Sequence, residues 1–126
     1  MFTFELKFEA EQLFTTLHRR ENYQMVGFSN SSFPLRSYLI LQRAWMEDSA
    51  SASPIWIEWN GNLSQNPIQR ATLSFREFTL SFNTMRIRVD LSGISLELKV
   101  LSALEQILGD RLEILPLSPV GVLLKA

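Results

Sequence analysis

His18 is the only histidine in the chain, and there is no cysteine. These two counts remove most routes to catalysis. A thiolate nucleophile, a disulfide or a Cys/His metal site has no residues to be built from. A Ser-His-Asp arrangement would have to recruit His18, and no G-x-S-x-G elbow supplies its serine. His18 runs directly into Arg19, Arg20 and Glu21, the setting of a solvated residue at the end of an element. Five scattered glycines build no phosphate-cradling loop. Carboxylates remain. Glu47 and Asp48 are adjacent at a loop start, and Glu58 lies within the run IWIEW. Two or three converging carboxylates can do acid-base work or hold a divalent cation, so a hydrolase using Glu47, Asp48 and Glu58 is one reading. Most other acidic residues alternate with apolar ones, as solvent-facing groups on strands do. The expectation is a protein that is not an enzyme, with no catalytic, cofactor or metal residues.

The elements that must position these groups are mostly strands. A chain of 126 residues is expected to form a single domain, 1–126. With 46% hydrophobic and 20% charged residues it is globular. A net charge of −1 leaves no basic footprint for nucleic acid. No window approaches the ~18 apolar residues of a membrane span. The first ten residues, MFTFELKFEA, alternate from the start instead of forming the apolar core of a secretory signal, so the expected compartment is the cytoplasm.

Phe2, Phe4, Leu6 and Phe8 share one face of a period-two run, with Thr3, Glu5, Lys7 and Glu9 on the other. The pattern recurs as Leu73 and Phe75, as Phe78, Leu80 and Phe82, as Met85, Ile87, Val89 and Leu91, and as Ile94, Leu96 and Leu98. Asn83-Thr84 and Ser92-Gly93 fall between these runs and predict a meander of hairpins. Residues 23–28, 38–41 and 112–115 also read as strands. Pro54 opens IWIEW, and Asn60-Gly61 then signals a tight turn. Val100, Leu101, Leu104, Ile107 and Leu108 follow the helical period over 99–108, with Gly109 placed to end it. Residues 9–20 fit a short helix or a strand equally. The fold class expected is α+β: a mostly antiparallel, meander-like sheet with one C-terminal helix.

Period two puts Trp56 and Glu58 on one face of IWIEW and Ile55, Ile57 and Trp59 on the other. A tryptophan beside a carboxylate suits a contact surface, and it equally suits a strand covered on both sides. Arg86 and Arg88 share a face with Asp90 and are expected to look toward glutamates on a neighbouring strand.

At residues 28–44 the chain reads FSNSSFPLRSYLILQRA. Tyr38-Leu39-Ile40-Leu41-Gln42-Arg43-Ala44 resembles the YLxLQRA signature of a bacterial immunity-protein family, the tenth of the numbered families attached to polymorphic toxin systems. In that family a strand ending GFA or FAD precedes the signature, much as Val26-Gly27-Phe28-Ser29 does here. A YYVEW-like strand follows it, similar to Ile55-Trp56-Ile57-Glu58-Trp59, and then an IESFELHRDRV-type strand similar to 68–79. The resemblance spans about 28–82. It departs at the acidic loop, here EDSASAS, and at the turn after the EW strand, here Asn60 to Gln65. The resemblance implies a small cytoplasmic protein that binds a cognate toxin domain and occludes its active site, with differing loops implying a different toxin. Its partner-binding residues are expected among Gln42, Arg43, Trp45, Glu47, Asp48, Trp56, Glu58, Asn60 and Asn62. A cognate toxin is thus the partner expected, with no cofactor, no nucleic acid and no membrane; a homo-oligomeric β scaffold or adaptor, such as a homodimer, is the alternative.

Overall fold

The computed structural model describes residues 4–18, 23–30, 37–44, 54–65 and 67–115. These residues form ten strands and one helix: β1 (Phe4–Glu9), β2 (Gln12–His18), β3 (Tyr23–Asn30), β4 (Ser37–Ala44), β5 (Ile55–Trp59), β6 (Asn62–Ser64), β7 (Ile68–Leu73), β8 (Glu77–Phe82), β9 (Met85–Asp90), α1 (Leu98–Leu108) and β10 (Leu112–Ile114). The ambiguous segment 9–20 is a strand, β2. Two five-stranded sheets result, ordered β2-β3-β4-β5-β6 and β1-β9-β8-β7-β10 and called here the β4 sheet and the β8 sheet. The β4 sheet is antiparallel throughout. In the β8 sheet, β7, β8 and β9 form the expected meander, while β1 joins β9 and β10 joins β7 in parallel at the two edges.

Alternation decides which side of each sheet turns inward. Val26, Phe28, Leu39, Leu41 and Ile57 of the β4 sheet are fully buried, as are Phe78, Leu80, Ile87 and Val89 of the β8 sheet. Phe28 stacks on Phe78 with ring centroids 5.0 Å apart and an interplanar angle of 11°. Trp59 meets Phe82 edge-on at 5.3 Å and 66°. Phe78 and Phe82 lie at the two ends of β8, whereas Phe28 and Trp59 belong to one cross-strand row through Leu39. Strand β8 therefore runs across β3, β4 and β5, the orthogonal mode of sheet packing.

The chain passes between the sheets at Ala10. The Ala10 amide donates to the Asp90 carbonyl of the β8 sheet at 2.9 Å, and the next amide, Glu11, donates to Ser29 of the β4 sheet at 2.8 Å. Ala10 is almost fully buried at this corner.

Residues 94–98 do not form the strand their alternation predicts. Strand β9 has β8 on one side and β1 on the other, so no edge is left to receive another strand. The Asp90 carboxylate instead accepts the Ser92 amide at 2.8 Å and the Ser92 hydroxyl at 2.7 Å, closing a turn that leads out of the sheet. Leu91 and Leu96 are buried along this connection, and Leu98 opens α1 with its side chain exposed. The sequence pattern over 94–98 is that of burial at intervals in an irregular segment.

Helix α1 covers the core with Val100, Leu101, Leu104, Ile107 and Leu108, and Gly109 at φ 57° ends it. Two polar side chains of the β4 sheet reach it from the inner face. The Gln24 amide donates to Gln106 Oε1 at 2.7 Å, and the Arg43 guanidinium donates to the Ile107 carbonyl at 2.7 Å. That carbonyl is among the last four of the helix, which have no partner within it, and a cation there complements the negative end of the helix dipole. Arg43 is only 6% exposed. Burial, and then the nearby Arg111, lower its pKa from the ordinary arginine value. Among the described residues no helix is long and apolar enough to cross a membrane.

Removing the Arg43 guanidinium leaves the Ile107 carbonyl without this donor. Arg43→Ala is expected to destabilise the fold by roughly 2–4 kcal/mol, from the lost charge-assisted bond together with lost packing. Lysine keeps the charge but loses the planar fork, and should recover only part of that stability in urea denaturation.

Candidate functional site

The two outward sheet faces have opposite characters. On the β8 sheet the outward side chains are Glu5, Lys7, Glu9, Arg70, Thr72, Glu77, Thr79, Ser81, Arg86, Arg88, Asp90 and Glu113, all polar. Arg86 and Arg88 pair with glutamates as the sequence predicts, Arg86 Nε to Glu5 at 2.6 Å and Arg88 to Glu77 at 2.9 Å, and the structure adds Arg70 to Glu113 at 2.7 Å. Such exposed pairs contribute under ~1 kcal/mol each, so this face is solvated decoration.

On the β4 sheet the register lays out a different surface. One cross-strand row runs Phe14, Gly27, Ile40, Glu58, Leu63, and the next runs Thr16, Met25, Gln42, Trp56. Trp56 is 38% exposed, Phe14 37% and Leu63 63%. Met25, Tyr38 and Ile40 are half-buried beside them. Among the described side chains of this face, Glu58 is the only charged one.

Gly27 shapes the centre of the face. The Phe14 ring lies flat over it, where a Cβ would collide with three ring atoms. A glycine opposite a phenylalanine in neighbouring strands lets the ring fold down across the backbone. The folded ring becomes one wall of a groove of about 410 Å3, whose other lining includes Gln12, Ser29, Ser37, Tyr38, Ile40 and Glu58.

Tyr38 and Glu58 form the opposite wall through a relay of hydrogen bonds. The Gly61 amide donates to the Tyr38 hydroxyl at 2.7 Å, and that hydroxyl donates to Glu58 Oε2 at 2.9 Å. The donor end of the relay lies in the Asn60-Gly61 turn, where both residues have positive φ, 45° and 86°. Asn60 Oδ1 also accepts the Tyr38 amide at 2.9 Å. The predicted turn thus supports β5 and clamps Tyr38. Burial, and next the bond to Glu58, raise the Tyr38 pKa above the usual phenol value, while the Gly61 amide works the other way.

Of the nine residues expected from the sequence, Gln42, Trp56 and Glu58 come together on this face. Asn60 and Asn62 are exposed at its border, where Asn62 Nδ2 donates to the Trp59 carbonyl at 3.2 Å. Arg43 points the other way and belongs to the helix contact, a correction that follows from strand alternation once the inner face is known. Trp45, Glu47 and Asp48 lie outside the described residues. In the groove Glu58 has no second carboxylate beside it among the described residues. The same restricted set holds no group of three His, Asp or Glu residues placed to bind a metal ion. Phe14, Met25, Tyr38, Ile40 and Leu63 join the site only through the register. Phe14 could be found in the sequence only by pairing it with Gly27.

A second cavity of about 700 Å3 lies where Arg43 meets the end of α1 and mixes Arg70, Arg111, Asp110 and Glu113. Its charges of both signs, one pair already joined, give it no single chemical preference. Compared with known proteins, the chain matches no family model, no curated protein and no solved structure.

Two tests follow from the relay and from the glycine. The fold favours the neutral Tyr38 phenol, so its stabilisation is complete below the ordinary phenol pKa and is lost as pH rises through the raised value. The chain has two tyrosines. Tyrosinate absorbance is expected to show a late-titrating component that Tyr38→Phe removes and Glu58→Gln shifts to lower pH. Separately, Gly27→Ala is expected to displace the Phe14 ring and destabilise the domain by about 1–3 kcal/mol, with ring-current shifts lost at residue 27.

Proposed function

We propose that this chain is a protein-binding module that neutralises a cognate toxin domain in the cytoplasm, using the outward face of the β4 sheet to cover the toxin's active site. One observation carries the reading: of two outward sheet faces in one small domain, one is wholly polar and the other presents Phe14, Met25, Tyr38, Ile40, Trp56 and Leu63 around a single carboxylate. Aromatic and methionine side chains are enriched in interfaces, and tryptophan and tyrosine recur among residues that dominate binding energy. The strands fix these side chains in place, so association costs little ordering of the backbone.

The YLILQRA run supports the same reading through its resemblance to an immunity-protein signature, and its parts divide by function. Leu39 and Leu41 are core, Arg43 ties the sheet to the helix, and Tyr38, Ile40 and Gln42 face outward. An immunity protein works by occlusion, for which a rigid surface of ~800 Å2 suffices without any catalytic group. A face built around one carboxylate and several apolar side chains fits that task better than hydrolysis.

The test is co-expression with the toxin domain encoded beside this chain. Rescue of growth and a stable complex on size exclusion are expected. Trp56→Ala or Met25→Asp should weaken the complex at least about tenfold, or ~1.4 kcal/mol, with Arg86→Ala on the opposite face leaving it unchanged. No rescue and no complex would sink the reading. A stable dimer of the chain alone, burying Trp56, would transfer the same face to self-association.

A further inference from the structure

We propose that the groove between Phe14 and Glu58 is a receptor for a guanidinium group, the side chain of an arginine presented by a protein partner. The proposal rests on the protein-binding reading for the source of that arginine, whereas its chemistry stands on the groove alone.

Glu58 is half-buried and is the only charged group lining the groove among the described residues. Its Oε2 accepts the Tyr38 hydroxyl, and among the described residues no cation is paired with it. A carboxylate has about four lone-pair directions, so most of its accepting capacity remains open. On the opposite face of the same domain Glu5, Glu77 and Glu113 each have an arginine. Among the described residues Glu58 is therefore a carboxylate in a groove of polar and apolar side chains with no counter-charge beside it, a place an arriving cation would complete.

The walls select the kind of cation. Phe14 and Tyr38 offer aromatic surface on which a planar cation stacks, and Ile40 floors the space between them. Strands β2 and β5 stand three inter-strand spacings apart, ~14 Å. The Phe14 ring, folded across Gly27, fills the first of these, leaving ~10 Å for an incoming side chain. Arginine suits such a slot better than lysine, because its guanidinium stacks on rings, is weakly hydrated and pairs with carboxylates through a planar fork. Gln12, Ser29 and Ser37 at the rim offer oxygen acceptors for its remaining N–H groups. Tyr38, held by the Gly61 amide, keeps Glu58 in one orientation before any partner arrives.

The experiment is an NMR titration of the intact chain with N-acetyl-arginine N-methylamide, alongside its citrulline counterpart, which has nearly the same shape and no charge. Arginine is expected to give saturable shifts at the amides of Ser29, Tyr38, Ile40 and Gly61. Citrulline, or Glu58→Gln with arginine, should bind about tenfold more weakly, the loss of one charge-assisted pair. Tyr38→Phe, which leaves Glu58 unsteered, should give a smaller loss and keeps the test open if Glu58→Gln perturbs the fold. Absence of saturable shifts in this set, or equal binding of citrulline, overturns the proposal. A toxin complex indifferent to Glu58→Gln, together with a flat titration, removes the groove assignment and leaves the protein-binding reading standing. A saturable, charge-dependent titration without any toxin complex supports the groove and removes that reading.

Discussion

The stacking of Phe28 on Phe78 joins the two sheets, and most of the molecule's organisation follows from that contact. A strand has two faces. Once Phe28, Leu39 and Trp59 are committed to the β8 sheet, their neighbours Gly27, Ile40 and Glu58 are committed to the opposite side. A slip of one residue in any of these strands would exchange that strand's two sets, and in β5 it would put Glu58 into the core. The aromatic pairs thus hold the register as well as the core, and register decides which residues reach the outward surface.

The orthogonal crossing shapes the rest. Because β8 runs across β3 to β5, part of the inner face of the β4 sheet extends beyond the reach of the β8 sheet, and α1 packs there against β2, β3 and β4. The polar residues Gln24 and Arg43 face inward at this point and find partners on Gln106 and at the Ile107 carbonyl. Buried polar groups of this kind are costly unless satisfied, and no buried side-chain nitrogen or oxygen among the described residues lacks a hydrogen bond. Arg43 therefore acts as a tie between layers, which explains an arginine in a strand otherwise made for the core.

The outward face of the β4 sheet shows a different economy of residues. A solvated antiparallel sheet would carry charged side chains there, as the β8 sheet does. In place of them stand an aromatic ring folded over a glycine, a tyrosine clamped by a turn, and one carboxylate. Each of these three is held by a neighbour in the sheet, Phe14 against Gly27 and Tyr38 between Gly61 and Glu58. Preorganisation of this type favours binding by reducing the ordering that association would otherwise require.

Much of this was legible in the sequence. Period-two runs identify β1, β5, β8 and β9, the apolar run 38–41 identifies β4, the Asn60-Gly61 pair identifies its turn, and the helical spacing up to Leu108 with Gly109 identifies α1, because these signals depend only on local sequence. Trp56 and Glu58 could be placed together on one face for the same reason. Local pattern cannot say which face is inside, so it leaves Trp56 undecided and admits Arg43 among the candidate contact residues. It could not tell that β9 already had β1 beside it, which is why 94–98 read as a strand. Nor could it pair Phe14 with Gly27 or Tyr38 with Gly61, since those contacts join residues distant in the chain and arise only when strands take their register. The amino-acid sequence by itself determined most of the elements and the absence of cysteine and of all but one histidine. Tertiary structure alone decided which residues share a surface, because packing two sheets through one face of each settles what is left on the other.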